Sequence, residues 1–177
     1  MSILPQQQIR ARFDDRCIVV YQAYNDAIAD AAVRAQRFVP PFSFGRMTWV
    51  KPSFLWMMER CGWATKPNQE RVLAVHLLRA HFDAALSAAV STSVTREHAD
   101  VRVQWDPERS LRGGKLPYRS LQLGLGRAVA RDYATTWVHG IEDVTPLVKK
   151  LDALRRAGDF ARAADLLPVE RVYRFTP

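Results

Sequence analysis

The chain has 177 residues, of which 48% are hydrophobic and 25% charged, the composition of one globular domain with its own core. It shows no apolar run long enough for a secretory signal or a membrane span, so we expect a cytoplasmic protein without a membrane partner. The formal net charge of +8 makes nucleic acid a candidate partner, but charge carries no information about the fold. The two cysteines, Cys17 and Cys61, stand among apolar residues and are expected to be buried free thiols.

The first half of the chain alternates strands and helices. The run CIVVYQAY is typical of a buried strand, and Asn25 or Asp26 after it supplies a helix N-cap. Residues 38–45 contain two prolines and three phenylalanines, which indicates a loop that packs on the core. The predicted elements are a strand at 17–24, a helix to about residue 36, a strand at 47–50, a helix at 53–61 with Pro52 at its first position and Gly62 as its C-cap, a strand at 71–76 and a helix at 79–90.

The second half begins with strands and ends with helices. Alternation predicts strands at 101–106 and 119–125, with a Gly- and Pro-containing loop over residues 108–118. A helical pattern covers 126–138. Thr145 and Pro146 then open a helix that Gly158 closes, and Asp159 caps a short one that stops at Pro168.

These elements predict an α+β fold. No GxGxxG follows the first strand and no GxxxxGK[ST] occurs, so the glycine chemistry of a phosphate-binding doubly wound sheet is missing. We therefore expect a single compact domain with a mixed or largely antiparallel sheet and flanking helices. Its α+β body would span residues 1–143, with a helical hairpin at 144–168 docked on it.

The most unusual segment is 47–63, which packs three tryptophans, three methionines and one phenylalanine around a Lys-Pro-Ser break. As a strand-to-helix junction it is the place to look for a pocket. Arg46 and Lys51 could bind a phosphate or carboxylate while Trp49 stacks on a base. The alternative is that the aromatic residues fill the core and the cations extend to water. Arg10 could line the same site, or could be the solvent face of a leading strand.

Blocks distributed over nearly the whole chain resemble those of a protein family without a settled activity, domain-of-unknown-function family 4291. The resemblance is carried by VYQAYNDAIADAA, FVPPF, RMTWVKPSFLWMMERCGWATKPNQERVLAV, VRVQWDPER, YRSLQLGL and IEDVTPL. It implies a single-domain protein and supplies no reaction.

The layout of the first half is similar to that of ADP-ribosyltransferases, which place a polar residue in a first strand and Tyr, Ser or Thr in a second. This resemblance implies Gln22 at the first position, Thr48 or Ser53 at the second, and Trp49 or Trp56 against the nicotinamide of NAD. The glutamate that such enzymes carry on a late strand is replaced here by Gln122, unless Asp106 or Glu108 reaches the site.

Two functions follow as expectations. The first is a site for a nucleotide-type small molecule, with NAD as candidate cofactor and ADP-ribosyl transfer as candidate reaction. The second is a noncatalytic nucleic-acid-binding module that uses the basic stretch 109–119. We expect no metal, because His76, His81, His98 and His139 lack ligand spacing. The site residues predicted are Gln22, Thr48, Ser53 and Gln122 for catalysis, and Arg10, Tyr21, Tyr24, Arg46, Trp49, Lys51 and Trp56 for ligand binding.

Overall fold

The structure is a computed structural model that describes residues 6–93 and 99–175. Strands and helices alternate through most of this length, and the predicted α+β fold is confirmed. The strands are β1 (Arg10–Ala11), β2 (Cys17–Tyr24), β3 (Thr48–Val50), β4 (Arg71–Leu78), β5 (Val90–Ser91), β6 (Val101–Arg109), β7 (Lys115–Leu125), β8 (Val138–Asp143) and β9 (Arg171–Val172). The helices are α1 (Asp26–Ala35), α2 (Phe54–Cys61), α3 (Arg79–Ala88), α4 (Arg127–Asp132), α5 (Thr145–Arg156) and α6 (Phe160–Asp165), with a π-helix at Tyr133–Trp137.

The strands form two main sheets that meet at one point. One sheet has the order β2-β4-β8 and the other β3-β7-β6-β5, while β1 and β9 form a separate pair. Apart from β5 with β6, the pairings between these strands are antiparallel, as predicted. The two sheets are joined by a bridge between Tyr21 of β2 and Lys51, which follows β3. The Tyr21 amide donates to the Lys51 carbonyl at 2.7 Å, and the Lys51 amide donates back at 3.4 Å.

The three-stranded sheet is buried on both faces. On β2, Ile18 and Val20 face a cluster that includes the four-stranded sheet, α1 and α3. Val19 and Tyr21 point the other way, into a cluster with α2, α5 and α6. A strand covered on both sides reads as a continuous apolar run, which explains why the sequence of β2 does not alternate.

The C-terminal hairpin packs on the second of these faces. Val148 and Leu151 of α5 and Ala163 of α6 are fully buried in the cluster that holds α2. Beyond the hairpin the chain returns to the N-terminal region, where β9 pairs with β1. Within residues 6–93 and 99–175, no helix combines the length and the apolarity that crossing a bilayer demands.

The loop predicted at residues 108–118 is shorter in the structure, so its predicted extent is wrong. β6 and β7 continue through most of it and turn only at residues 110–114. The turn end of the β6–β7 hairpin extends beyond the neighbouring strands. β3 pairs with β7 only from Leu123 to Leu125, and β5 pairs with β6 only at Arg102 and Val103. Prolines are tolerated at such free strand edges, so Pro107 and Pro117 do not interrupt the strands as the sequence suggested.

Several other boundaries also differ from the prediction. The helix expected at 126–138 ends at Asp132 and continues as the π-helix, and the strand β8 that follows was not predicted. Its sequence, VHGIED, alternates weakly because β8 is an edge strand paired only with β4. Ser53 rather than Pro52 defines the start of α2, since the Ser53 hydroxyl caps the helix. The helix α3 ends at Ala88, two residues early, because β5 begins at Val90.

Arg71 connects three elements at one edge of the central sheet. Its guanidinium binds Asp143 of β8 at 2.6 and 3.1 Å, Asp30 of α1 at 2.8 Å and Asp26 at 3.1 Å. The Arg71 and Asp143 side chains are 22% and 23% exposed, so their pairing is partly shielded from water.

We expect Arg71→Met to lower the free energy of unfolding by about 1–3 kcal/mol, because it leaves the half-buried Asp143 without its charged partner. The control is Arg12→Met, which removes an exposed pair with Glu142 and should cost less than about 0.5 kcal/mol. Urea denaturation of both variants measures the difference. Equal losses in the two variants would contradict this assignment.

Candidate functional site

A cavity of about 530 Å³ opens where β2 and β3 diverge from their bridge. This main cavity lies between the ends of the two strands, the helix α2, the loop before β3 and the turn before β4. It falls within the size range of small-molecule sites. Its lining residues are Gln22, Ala23, Tyr24, Asn25, Ile28, Pro41, Phe42, Ser43, Arg46, Met47, Thr48, Trp49, Lys51, Met57, Arg60, Pro67, Asn68 and Gln69.

A chain of hydrogen bonds orients the polar groups at the base of this cavity. Gln22 is 4% exposed and donates from Nε2 to Thr48 Oγ1 at 2.8 Å and to the Trp49 carbonyl at 3.2 Å. The hydroxyl of Tyr133, delivered by the π-helix, donates to Gln22 Oε1. Because Thr48 accepts from Gln22, its own O–H remains to donate toward Tyr24, 3.4 Å away, or toward a ligand. Burial raises the pKa of Tyr24, so its phenol stays protonated and can donate as well.

Trp49 is held at the cavity by a glycine on the neighbouring strand. Trp49 pairs with Gly124 of β7, and a Cβ added at Gly124 would come within 2.9 Å of the ring atoms Cζ2 and Cη2 of Trp49. Only a residue without a side chain leaves room for the indole in this position. Gly124 therefore has a steric role, which its place in a regular strand does not show.

Lys51 is a buried cation with few partners. The residue is 5% exposed, and the one side-chain hydrogen bond that it makes with described residues runs from Nζ to the Trp49 carbonyl at 3.5 Å. Burial, and after it the charge of Arg60, lowers the pKa of Lys51 to about 8, while Asp106 acts in the opposite direction. No carboxylate within residues 6–93 and 99–175 forms an ion pair with this ammonium.

The charged residues that line the main cavity are all cations. Arg46, Lys51 and Arg60 line it, and none of its described lining residues is an aspartate or glutamate. Buried charges are usually paired, because an isolated one loses its hydration without compensation. Of the three cations only Lys51 is buried, while Arg46 and Arg60 are exposed, and together they make the charge of the cavity lining positive.

Comparison with known proteins places the chain in a family. Residues 8–173 match the domain of unknown function DUF4291, which is nearly the full length. The chain belongs to the DUF4291 family. No curated protein matches it. The resemblance to this family that the sequence shows is thereby confirmed.

The predicted site residues of the DUF4291 domain separate into two cavities. Gln22, Thr48 and four of the predicted ligand-binding residues (Tyr24, Arg46, Trp49 and Lys51) line the main cavity. Arg10 and Ser53 instead line a second cavity of about 260 Å³ beside the start of α2. There the Ser53 hydroxyl accepts the Trp56 amide proton at 3.1 Å, and Arg10 donates to the Glu170 carbonyl at 3.2 Å. The Ser53 hydroxyl thus caps α2, and this residue does not line the main cavity with Thr48.

Three predicted residues line neither cavity. The ring of Tyr21 packs edge-on against Phe54 in the core, and Trp56 is 9% exposed. Gln122 donates to Asp106 Oδ2 at 2.5 Å, and Gln104 donates to the other oxygen of the same carboxylate at 2.9 Å. Gln122, Asp106 and Gln104 thus form a polar cluster on the β6–β7 hairpin outside the main cavity.

Sequence reasoning missed several residues of the site. Arg60 lies one helical turn after Met57, so both face the cavity from α2, and a closer reading of the helix period could have found them. Tyr133 gave no signal, because a π-helix changes which residues point inward. Of the four histidines for which no metal site was predicted, His98 lies outside the described residues. Within those residues no three His, Cys, Asp or Glu side chains gather as metal ligands would.

We expect Tyr133→Phe to lower the free energy of unfolding by about 1–2 kcal/mol, because the buried Gln22 carbonyl oxygen loses its donor. Tyr118→Phe is the matched control, since that phenol makes no hydrogen bond with the described residues. Thermal and urea denaturation measure both variants. A loss in the control as large as that in Tyr133→Phe would contradict the role of the hydrogen bond.

The position of Lys51 predicts a pH dependence of stability. The unfolded chain binds a proton at Lys51 up to about pH 10.5 and the folded chain up to about pH 8, so unfolding becomes less favourable as pH rises between these values. We expect Lys51→Met to stabilise the fold by about 1–3 kcal/mol at pH 7, with a smaller gain at pH 9.5. Lys149→Met, at an exposed position on α5, should leave this pH slope unchanged. A gain from Lys51→Met that is the same at both pH values would refute the assignment.

Proposed function

We propose that the main cavity binds a nucleotide-type ligand, with NAD as the first compound to test. The observation that carries this proposal is the buried ammonium of Lys51, which has no carboxylate partner among the described residues and lies beside a tryptophan. Burying such a charge lowers stability, so its presence at a cavity is better explained by a ligand than by packing.

The other lining groups suit the parts of a nucleotide. Lys51, Arg46 and Arg60 supply positive charge for phosphates, and the two guanidiniums can bind phosphate oxygens bidentately. Trp49 offers a ring for stacking on a base or nicotinamide. The hydroxyls of Thr48 and Tyr24 can donate to ribose or amide oxygens.

ADP-ribosyl transfer is the candidate reaction suggested by the resemblance in layout. Gln22 and Thr48, which that resemblance aligned with the first two site positions, are hydrogen-bonded to each other at the main cavity. The third position, Gln122, is bound to Asp106, and none of the described cavity-lining residues is a carboxylate. Positive charge developing on a departing ribose would lack a neutralising partner there. These features support ligand binding more directly than transfer.

The alternative, nucleic-acid binding through residues 109–119, receives less support. Arg109 pairs with Glu59 at 3.4 Å, and Arg119 donates to the Trp105 carbonyl at 3.0 Å. The guanidinium of Arg112 lies over the Phe160 ring at 3.8 Å. These contacts orient the three guanidiniums against groups of the fold itself and occupy part of their capacity to bind phosphates.

Calorimetry and tryptophan fluorescence with NAD, ADP-ribose and AMP test the proposal. We expect at least one of these ligands to bind the wild type and to quench emission. Lys51→Met should weaken binding about tenfold or more, because a charged hydrogen bond to phosphate is lost. Trp49→Phe should remove most of the quenching.

Lys149→Met is the control and should bind as the wild type does. The affinity should fall only shallowly with salt, whereas a single-stranded oligonucleotide bound through many phosphates would lose affinity steeply. The proposal fails if none of the three ligands binds, or if Lys51→Met binds with wild-type affinity and Trp49→Phe keeps the wild-type quenching.

A further inference from the structure

We propose that Lys51 is an amine nucleophile that captures the aldehyde or ketone group of an anionic ligand as an imine. The inference goes beyond the proposed function, because it uses the same cavity and the same positive charge but does not require a nucleotide. The ligand class is a phosphate- or carboxylate-bearing carbonyl compound.

The geometry around Lys51 leaves its amine available. Lys51 is 5% exposed and lines the main cavity, and among the described residues its Nζ makes a single long hydrogen bond, 3.5 Å to the Trp49 carbonyl. The charged and titratable groups that act on it are Arg60 and Cys61 from α2 and Asp106 from β6. None of them forms an ion pair with the amine, so no carboxylate locks Lys51 in its protonated form.

Two features make a lysine nucleophilic, and Lys51 has both. An amine attacks a carbonyl only when it is neutral, and burial together with a neighbouring cation favours the neutral form. Here burial is joined by the charge of Arg60, and the pKa of Lys51 falls to about 8. A substantial fraction of Lys51 is therefore neutral near physiological pH.

The cavity can still hold an anion when Lys51 is neutral. Arg46 and Arg60 also line it, and a guanidinium does not lose its proton in proteins. The two arginines can bind the phosphate or carboxylate of the ligand while the amine faces its carbonyl group. Anion binding and amine attack thus fall to different side chains of one site.

The reaction balances without an oxidant or reductant. The lone pair of Nζ adds to the carbonyl carbon and a proton moves from nitrogen to oxygen, which gives a carbinolamine. The second proton of the amine and the hydroxyl group then leave as water, and a C=N bond forms. The hydroxyls of Thr48 and Tyr24 lie at the same cavity and can relay these protons.

Pyridoxal 5′-phosphate tests the inference, because it is an anionic aldehyde whose imine is trapped by borohydride. The full-length protein is incubated with a limiting amount at pH 7.5, reduced, digested and mapped by mass spectrometry. We expect the label chiefly on Lys51, although Lys66, Lys115, Lys149 and Lys150 are all exposed and Lys51 is buried. Pyridoxal, which lacks the phosphate, should label Lys51 about tenfold less.

Lys51→Arg keeps the positive charge but forms no imine, so this variant should lose the label at residue 51. Lys149→Arg is the control and should keep both the label at Lys51 and the nucleotide binding of the wild type. Label spread over the exposed lysines with none concentrated at Lys51 would overturn the inference, whatever the nucleotide result. If Lys51 is labelled but no nucleotide binds, the nucleotide proposal fails and the imine site stands. The wild-type peptide map decides the matter even if Lys51→Arg does not fold.

Discussion

The structure depends on the bridge between Tyr21 and Lys51. Two backbone hydrogen bonds join the three-stranded sheet to the four-stranded one at this point, and beyond it β2 and β3 diverge. A continuous ladder would have filled the space between these strands with paired backbone. Because pairing stops, side chains occupy the gap, and Gln22 and Thr48 bond to each other across it. The main cavity is thus a consequence of an interrupted sheet.

The same bridge explains why a lysine is buried. The backbone of Lys51 is fixed next to Tyr21, between the three-stranded sheet and the helix α2, and the residue is only 5% exposed. Most lysines avoid this by extending their ammonium to solvent. Lys51 instead ends at a cavity that carries two arginines and, among its described lining residues, no carboxylate. The buried charge of Lys51 lowers the stability of the fold, as residues at functional sites often do.

Local signals in the sequence predicted those parts of the fold that depend on neighbouring residues. The apolar run at 17–24 predicted both boundaries of β2, and the Asn25 cap predicted the start of α1. These boundaries depend on interactions between residues that are close in sequence. The cluster at 47–63 located the main cavity, since a strand-to-helix junction rich in tryptophan is unusual. The surroundings of Gln122 could not be predicted in this way, because they depend on register: β6 sets Gln104 opposite Gln122 and brings Asp106 to both. No local pattern reports which strand will lie alongside.

Two residues close together at the strand-to-helix junction have different surroundings. Lys51 and Ser53 are separated only by Pro52, yet one faces the main cavity and the other caps α2 beside the second cavity. The ring of Pro52 fixes its φ and supplies no amide donor, so the strand cannot continue and the chain must turn into the helix here. That turn sends Met57 and Arg60 to the same side as Lys51, and leaves Ser53 at the start of the helix. The positive charge that lines the main cavity therefore comes from both sides of one proline, which is why the segment reads in sequence as a single patch.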